Sequence, residues 1–215
     1  DSFRTVSLSR EVSVQGRREV LLGKGKFGIF GDGKELPQVV MSHFFKDGDY
    51  RSGYYRDQTL LMSQNLLSAR EIFAAVYGHP DKLYEKMSGG RQMAGHFLTN
   101  TIDENNNWID QTSQKNHISD ISPTASQMSR LVGLGLASKI YRNNSINGSE
   151  KFSKNGNEVV WGTIGNASTS QGIFFEAVNA CGVLQIPTII SVWDDEYGIS
   201  VPVSYTHLTL PTNSG

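Results

Sequence analysis

The chain has 215 residues, 38% of them hydrophobic, and a formal net charge of −1. That length can bury the core of one α/β domain, and the near-neutral balance excludes a basic nucleic-acid footprint. No apolar stretch approaches the ~18 residues of a transmembrane helix, and the single cysteine excludes a disulfide-stapled fold. Cys181, on an apolar helix face, reads as a small core residue in a reducing, cytoplasmic setting. With no initiator Met and no secretory segment, the N-terminus reads as a fragment boundary.

Residues 1–35 are charged and Gly-rich and are assigned to an N-terminal extension. Gly31-Asp32-Gly33 reads as a glycine turn. Pro37 to Phe45 follows as a short helix with Val40 and Phe44 on one face. Tyr54-Tyr55-Arg56-Asp57 precedes a capping box formed by Ser68 and Glu71. Ile72, Phe73, Val76 and Tyr77 then recur at helix spacing until Gly78 stops them. Gly89 to His96 is a glycine-bearing loop, and residues 100–115 form a polar, Asn-rich one. Ser122-Pro123 supplies an N-cap and first helical position. In the helix that follows, Leu131, Leu134 and the Gly133/Gly135 pair suggest close packing on a neighbour. Asn143 to Gly156 is a polar loop, read as a surface hairpin.

Val159 to Ile164 is a β-branched run that suits a buried strand. A small polar turn, Gly165 to Ser170, leads into a helix with Phe174, Val178, Cys181 and Leu184 on one face. Ser168 with Gln171 is the spacing of a capping box. Pro187 closes that helix, and Thr188 to Trp193 is a second buried strand. The unit is βαβ, so the strands are expected to be parallel and the crossover right-handed. Ligands of such sheets bind beyond the carboxyl ends of the strands. The small residues let a diphosphate approach the backbone, and the helix N-terminus favours its charge. Both strands end in side chains that can ligate a hard cation, Asn166 after the first and Asp194 and Asp195 after the second. Asn166, Asp195 and a backbone carbonyl near Tyr197 offer the oxygen ligands that Mg2+ takes.

These residues resemble the thiamine diphosphate motif of the 2-oxo acid dehydrogenase E1 component, α half. That family reads GDGATSQG and ENNGYAIS; the chain reads GNASTSQG and WDDEYGIS, with 30 residues from Gly165 to Asp195. Asn166 stands where the family has Asp, and Asp195 where it has Asn, so one carboxylate and one amide remain. Glu196 replaces a glycine and puts the backbone angle of its loop in question. The WDD-YGISVP form is similar to that of proteins with α and β halves fused in one chain. Upstream, Tyr55-Arg56 resembles the family's diphosphate-holding YR pair, with Gln58 in place of its His. Gly89 to His96 resembles the family's GGRQM loop, with no role assigned. Ser122-Pro123-Thr124 resembles a segment that touches the cofactor, through the backbone at Thr124.

The resemblance implies an α/β thiamine diphosphate-binding fold, a parallel sheet flanked by helices. It implies cofactor contacts at Tyr55, Arg56, Ser122, Thr124, Gly165, Asn166, Ala167 and Ser168, and Mg2+ ligation by Asn166, Asp195 and Tyr197. The implied reaction is oxidative decarboxylation of a 2-oxo acid, of the 2-oxoisovalerate or pyruvate type, with acyl transfer to a lipoyl group on E2. The implied partners are an E1 β half, fused or separate, a lipoyl-bearing E2 and a second copy of the full-length chain. In the family the catalytic acid–base residues lie beyond Pro202 or in the β half, so none is assigned here. Residues 36–202 are expected to be the diphosphate-side domain, incomplete and inactive alone. Val203 to Gly215, back-translated, resembles a sequencing-library adapter and is expected to lie outside the fold. Two other readings stay open: an acetoin dehydrogenase or transketolase-like enzyme, and a non-catalytic module that has lost Mg2+ binding.

Overall fold

The computed structural model describes residues 1–92, 95–119 and 123–207. At its centre is a parallel sheet of β1 (Tyr50–Ser52), β2 (Asn116–Ile118), β3 (Val160–Gly165) and β4 (Thr188–Trp193), in the order β2-β1-β3-β4. The expected βαβ unit is present: β3 and β4 pair in parallel from Val160↔Thr188 to Gly165↔Trp193, with α6 (Gly172–Leu184) between them. β1 and β2, only three residues each, had no readable pattern.

β3 is flanked on both sides, and its residues alternate between two cores, as strand geometry requires. Val160 and Ile164 pack with Met128 and Leu131 of α5 (Gln127–Asn143) and Ala177 of α6. Trp161 faces the other way, toward Met41 and Phe45 around α2 (Glu35–Phe44), Leu60 of α3 (Gln58–Ser63), and Trp193. Each such fully buried side chain contributes roughly 1.5–3 kcal/mol.

The N-terminal region differs from its reading as an extension without assigned structure. Ser2–Leu21 is a 20-residue helix, α1, that packs on α2, α3 and α4 (Ala69–Val76). Val12 joins Leu61, Met62 and Ile72 in one cluster. The buried stripe of α1, Ser9, Val12, Ser13, Gly16 and Glu19, has a single large apolar side chain and so leaves no hydrophobic period in the sequence. Ser9 Oγ lies 2.7 Å from Thr59 Oγ1, and Phe30 occupies the space above Gly16.

α2 begins two residues earlier than expected, and its inward face carries Gln38, Val39 and Met41. Val40 and Phe44 do share a face, but it is exposed. The Ser68–Glu71 capping box forms as anticipated. The one at Ser168–Gln171 does not: Asn166–Ser170 is a 3-10 turn, and α6 starts at Gly172 with Gln171 as N-cap. α5 starts at Gln127, four residues after Pro123. Gly135 gives the close packing inferred for that helix, against Ile186 and Thr188, whereas Gly133 meets nothing. On α6, Phe174 and Cys181 pack on the core but Val178 is exposed. Among the described residues no helix is long and apolar enough to cross a membrane.

Candidate functional site

The register of β3 and β4 sets the geometry. Gly165 pairs with Trp193, so Asn166 and Asp194 are the first residues past two adjacent strand ends. Asn166, buried, donates from Nδ2 to Asp194 Oδ1, and the Glu196 amide donates to the same oxygen at 2.9 Å. Asp195 turns elsewhere: its Oδ2 accepts from Lys34 Nζ at 2.8 Å. Burial pushes the Asp195 carboxyl up. The Lys34 hydrogen bond and charge, the Tyr197 amide and Arg56 outweigh that and hold it below its ordinary value. Glu196 adopts φ 65°, the left-handed region, where the family's glycine is at home.

The second wall comes from the chain after β1. Arg56 Nε donates to the Phe30 carbonyl at 3.2 Å and Nη1 to Tyr55 Oη at 3.2 Å. Its guanidinium stands 4.8 Å from the Tyr55 ring centre and 5.9 Å from that of Tyr54. Burial pushes the Tyr54 phenol well up, so it stays protonated beside this cation. The wall is pinned by Asp57, a carboxylate 1% exposed. Its Oδ2 accepts from Arg51 Nη1 at 2.6 Å, from the Tyr54 amide at 3.1 Å and from Thr163 Oγ1. Its Oδ1 accepts from Trp193 Nε1 at 3.0 Å. One side chain thus ties β1, the Tyr-Arg turn, β3 and β4 together, directly before Asp194. The glycine at 53 is required by this junction, because a Cβ there would stand 1.8 Å from Arg51 Nη1.

Arg51 also donates from Nε to His117 Nδ1 at 2.8 Å, which leaves the His117 proton on Nε2, facing Gln64 Oε1 at 2.6 Å. Burial, then the charges of Arg51 and Lys115, hold His117 well below the usual imidazole value.

Tyr55, Arg56, Thr124, Gly165, Asn166, Ala167, Ser168, Asp195 and Tyr197 line one cavity of about 420 Å³. Of the candidate cofactor and metal residues, Ser122 lies outside the described residues, as do residues 93 and 94 of the glycine-bearing loop and 208–215 of the C-terminal segment. Thr124 is exposed at the cavity edge, and the next residue, Ala125, has φ 64°. Gly31-Asp32-Gly33 is a turn beside the Tyr-Arg wall, with Gly31 against the Arg56 carbonyl and Asp32 paired to Arg17. Sequence reasoning missed Lys34 and Asp57; it named Asp194 beside Asp195 as a candidate cation ligand, and the structure pairs Asp194 with Asn166 instead. The bonds of Asp57 to Thr163 and Trp193 span 106 and 136 residues, and that of Lys34 to Asp195 spans 161, so no local pattern could mark them.

Residues 203–207 touch the site. The Val203 amide donates to the Glu196 carbonyl at 2.9 Å, and His207 Nε2 lies 2.8 Å from Thr169 Oγ1. Among the described residues no group of three or more His, Cys, Asp or Glu side chains is placed to hold a metal ion. What the cavity offers a hard cation is smaller: the Asn166 amide oxygen, Asp195 Oδ1 and main-chain carbonyls. That set, beside a guanidinium and a turn of small residues, fits a diphosphate carrying a divalent cation.

A 28% identity over 204 residues links the chain to the 2-oxoisovalerate dehydrogenase subunit alpha of Bacillus subtilis (strain 168). The match takes in 94% of this chain and 52% of that protein, so the chain spans about half the length of its curated relative. The family model described as dehydrogenase E1 component matches residues 17–209, most of the chain, including Arg56, Asn166 and Asp195. The chain therefore belongs to the dehydrogenase E1 component family.

Proposed function

We propose that this chain forms the diphosphate-binding side of a thiamine diphosphate- and Mg2+-dependent 2-oxo acid dehydrogenase E1. The observation that carries the reading is the single cavity in which Tyr55, Arg56, Thr124 and the 165–168 turn meet Asp195 and Tyr197. Arg56 would bind phosphate oxygens as a fork, already oriented by Phe30 and Tyr55. Gly165, Ala167 and Ser168 let the diphosphate approach the backbone ahead of α6. Asn166, Asp195 and the Tyr197 carbonyl would hold Mg2+. When bound, thiamine diphosphate supplies the electron sink for loss of CO2 from the 2-oxo acid. The acyl group then passes to a lipoyl-bearing E2, and an E1 β half supplies the catalytic acid–base groups. The relative's name makes 2-oxoisovalerate the first acid to assay.

Titration with thiamine diphosphate and Mg2+, followed by tryptophan fluorescence, tests the reading, because Trp193, one of three tryptophans, is among the residues that line the cavity. Saturable quenching that Arg56→Ala shifts to higher cofactor concentration is expected; no response in the chain assembled with its β half would overturn it. With an artificial electron acceptor, the 215-residue chain alone is expected to turn over no 2-oxo acid, and the assembled protein to do so.

A further inference from the structure

Lys34 precedes α2, and its side chain is only 8% exposed, while its acceptor, Asp195, is 51% exposed and lines the cavity. An ammonium is strongly hydrated, so burying it is unfavourable without a close counter-charge. An ion pair with one half in water contributes little to stability. The placement is thus poorly explained as a structural brace, and well explained by the chemistry of the cavity.

The exchange of Asn and Asp puts the one carboxylate of the expected ligand pair at position 195, within reach of Lys34. Asn166 is neutral, and its amide nitrogen is spent on Asp194. The charge a divalent cation needs at this ligand pair is therefore the charge Lys34 already neutralises. Arg56, which lines the cavity, adds a second positive charge acting on Asp195. We infer that Lys34 is a positioning residue that competes with the divalent cation for Asp195 and so sets the cation affinity of the site. This rests on the thiamine diphosphate and Mg2+ reading of the cavity.

The test is Mn2+ binding with thiamine diphosphate present, read from the electron paramagnetic resonance signal of free Mn2+. Lys34→Gln removes the competing charge, and its Kd for Mn2+ is expected to fall roughly tenfold. Lys34→Met, which keeps an apolar stem, should tighten binding likewise and serves if Lys34→Gln does not fold. Lys34→Arg keeps the cation and should leave the Kd near that of the native chain. A merely structural role predicts the opposite sign, with weaker binding in Gln and Met. Unchanged or weaker Mn2+ binding in Lys34→Gln and Lys34→Met, with the native chain still binding, overturns the inference alone. No Mn2+ uptake by native chain or variants overturns the Mg2+ reading, and the inference with it.

Discussion

The two carboxylate positions that frame the cavity are built in opposite ways. Asp57 is 1% exposed and takes hydrogen bonds from a guanidinium, a main-chain amide, a hydroxyl and an indole. Asp195 is half-exposed, held by one ammonium, in a loop where Glu196 and Ile199 have φ of 65° and 59°. A buried carboxylate held by four hydrogen bonds has one position. A half-exposed one next to strained backbone can exchange partners at small cost. The Tyr-Arg wall is therefore preorganised, whereas the Asp195 end of the cavity is left adjustable.

The largest expected effect comes from breaking the rigid side. Asp57→Ala would strand the Arg51 charge, 2% exposed, and leave Trp193 Nε1 without its acceptor. A loss of about 3–5 kcal/mol in urea unfolding is expected. A loss below about 1 kcal/mol would end the claim that this junction is rigid. Gly53→Ala, whose Cβ invades the same pair, should be comparably damaging.

Arg56→Ala sharpens the comparison by separating binding from folding. Its hydrogen bonds go to a carbonyl and a phenol, so the fold should lose little. Thiamine diphosphate affinity, measured by calorimetry, should drop by about 10- to 150-fold, the equivalent of one charge-assisted contact of 1.5–3 kcal/mol. Equal losses in both measurements would mean that Arg56 belongs to the scaffold.

The rigid side also carries a pH signature. His117 has a depressed value in the folded state, so above about pH 6.5 it is neutral in both states. As pH falls below the unfolded value, the unfolded chain takes up a proton that the folded one refuses. Stability should then fall by up to about 1.4 kcal/mol per pH unit, and this component should be missing in His117→Asn. Chemical denaturation at pH 7, 6 and 5 reads the slope.

The smallest effect lies in the adjustable loop. Glu196→Gly relieves the left-handed strain and should raise stability by about 0.5–1 kcal/mol in a thermal melt. Destabilisation instead would show that the Glu196 side chain holds a contact that matters more than its backbone angle.

Much of the site was legible because it is local in sequence. The β3–α6–β4 unit follows from two apolar runs, a small-residue turn and a closing proline, and parallel pairing follows from the crossover length. The 165–168 turn and Asp195 were named from residue types at two strand ends and Tyr55-Arg56 from the resemblance to the family's motif, and the fold brings them to one cavity. The strain at Glu196 was readable too, because a side chain had replaced a glycine.

α1 and the wiring of the site could be decided only in three dimensions. α1 buries serines, a glycine and a glutamate, so its helical period has no hydrophobic signature. Lys34, Asp57 and Asp194 gain their meaning from partners supplied by other strands and loops. Hydropathy reports what a residue avoids. Which polar group finds which partner depends on distances that exist once the sheet has formed, and that pairing made Asp57 an anchor and left Asp195 with Lys34.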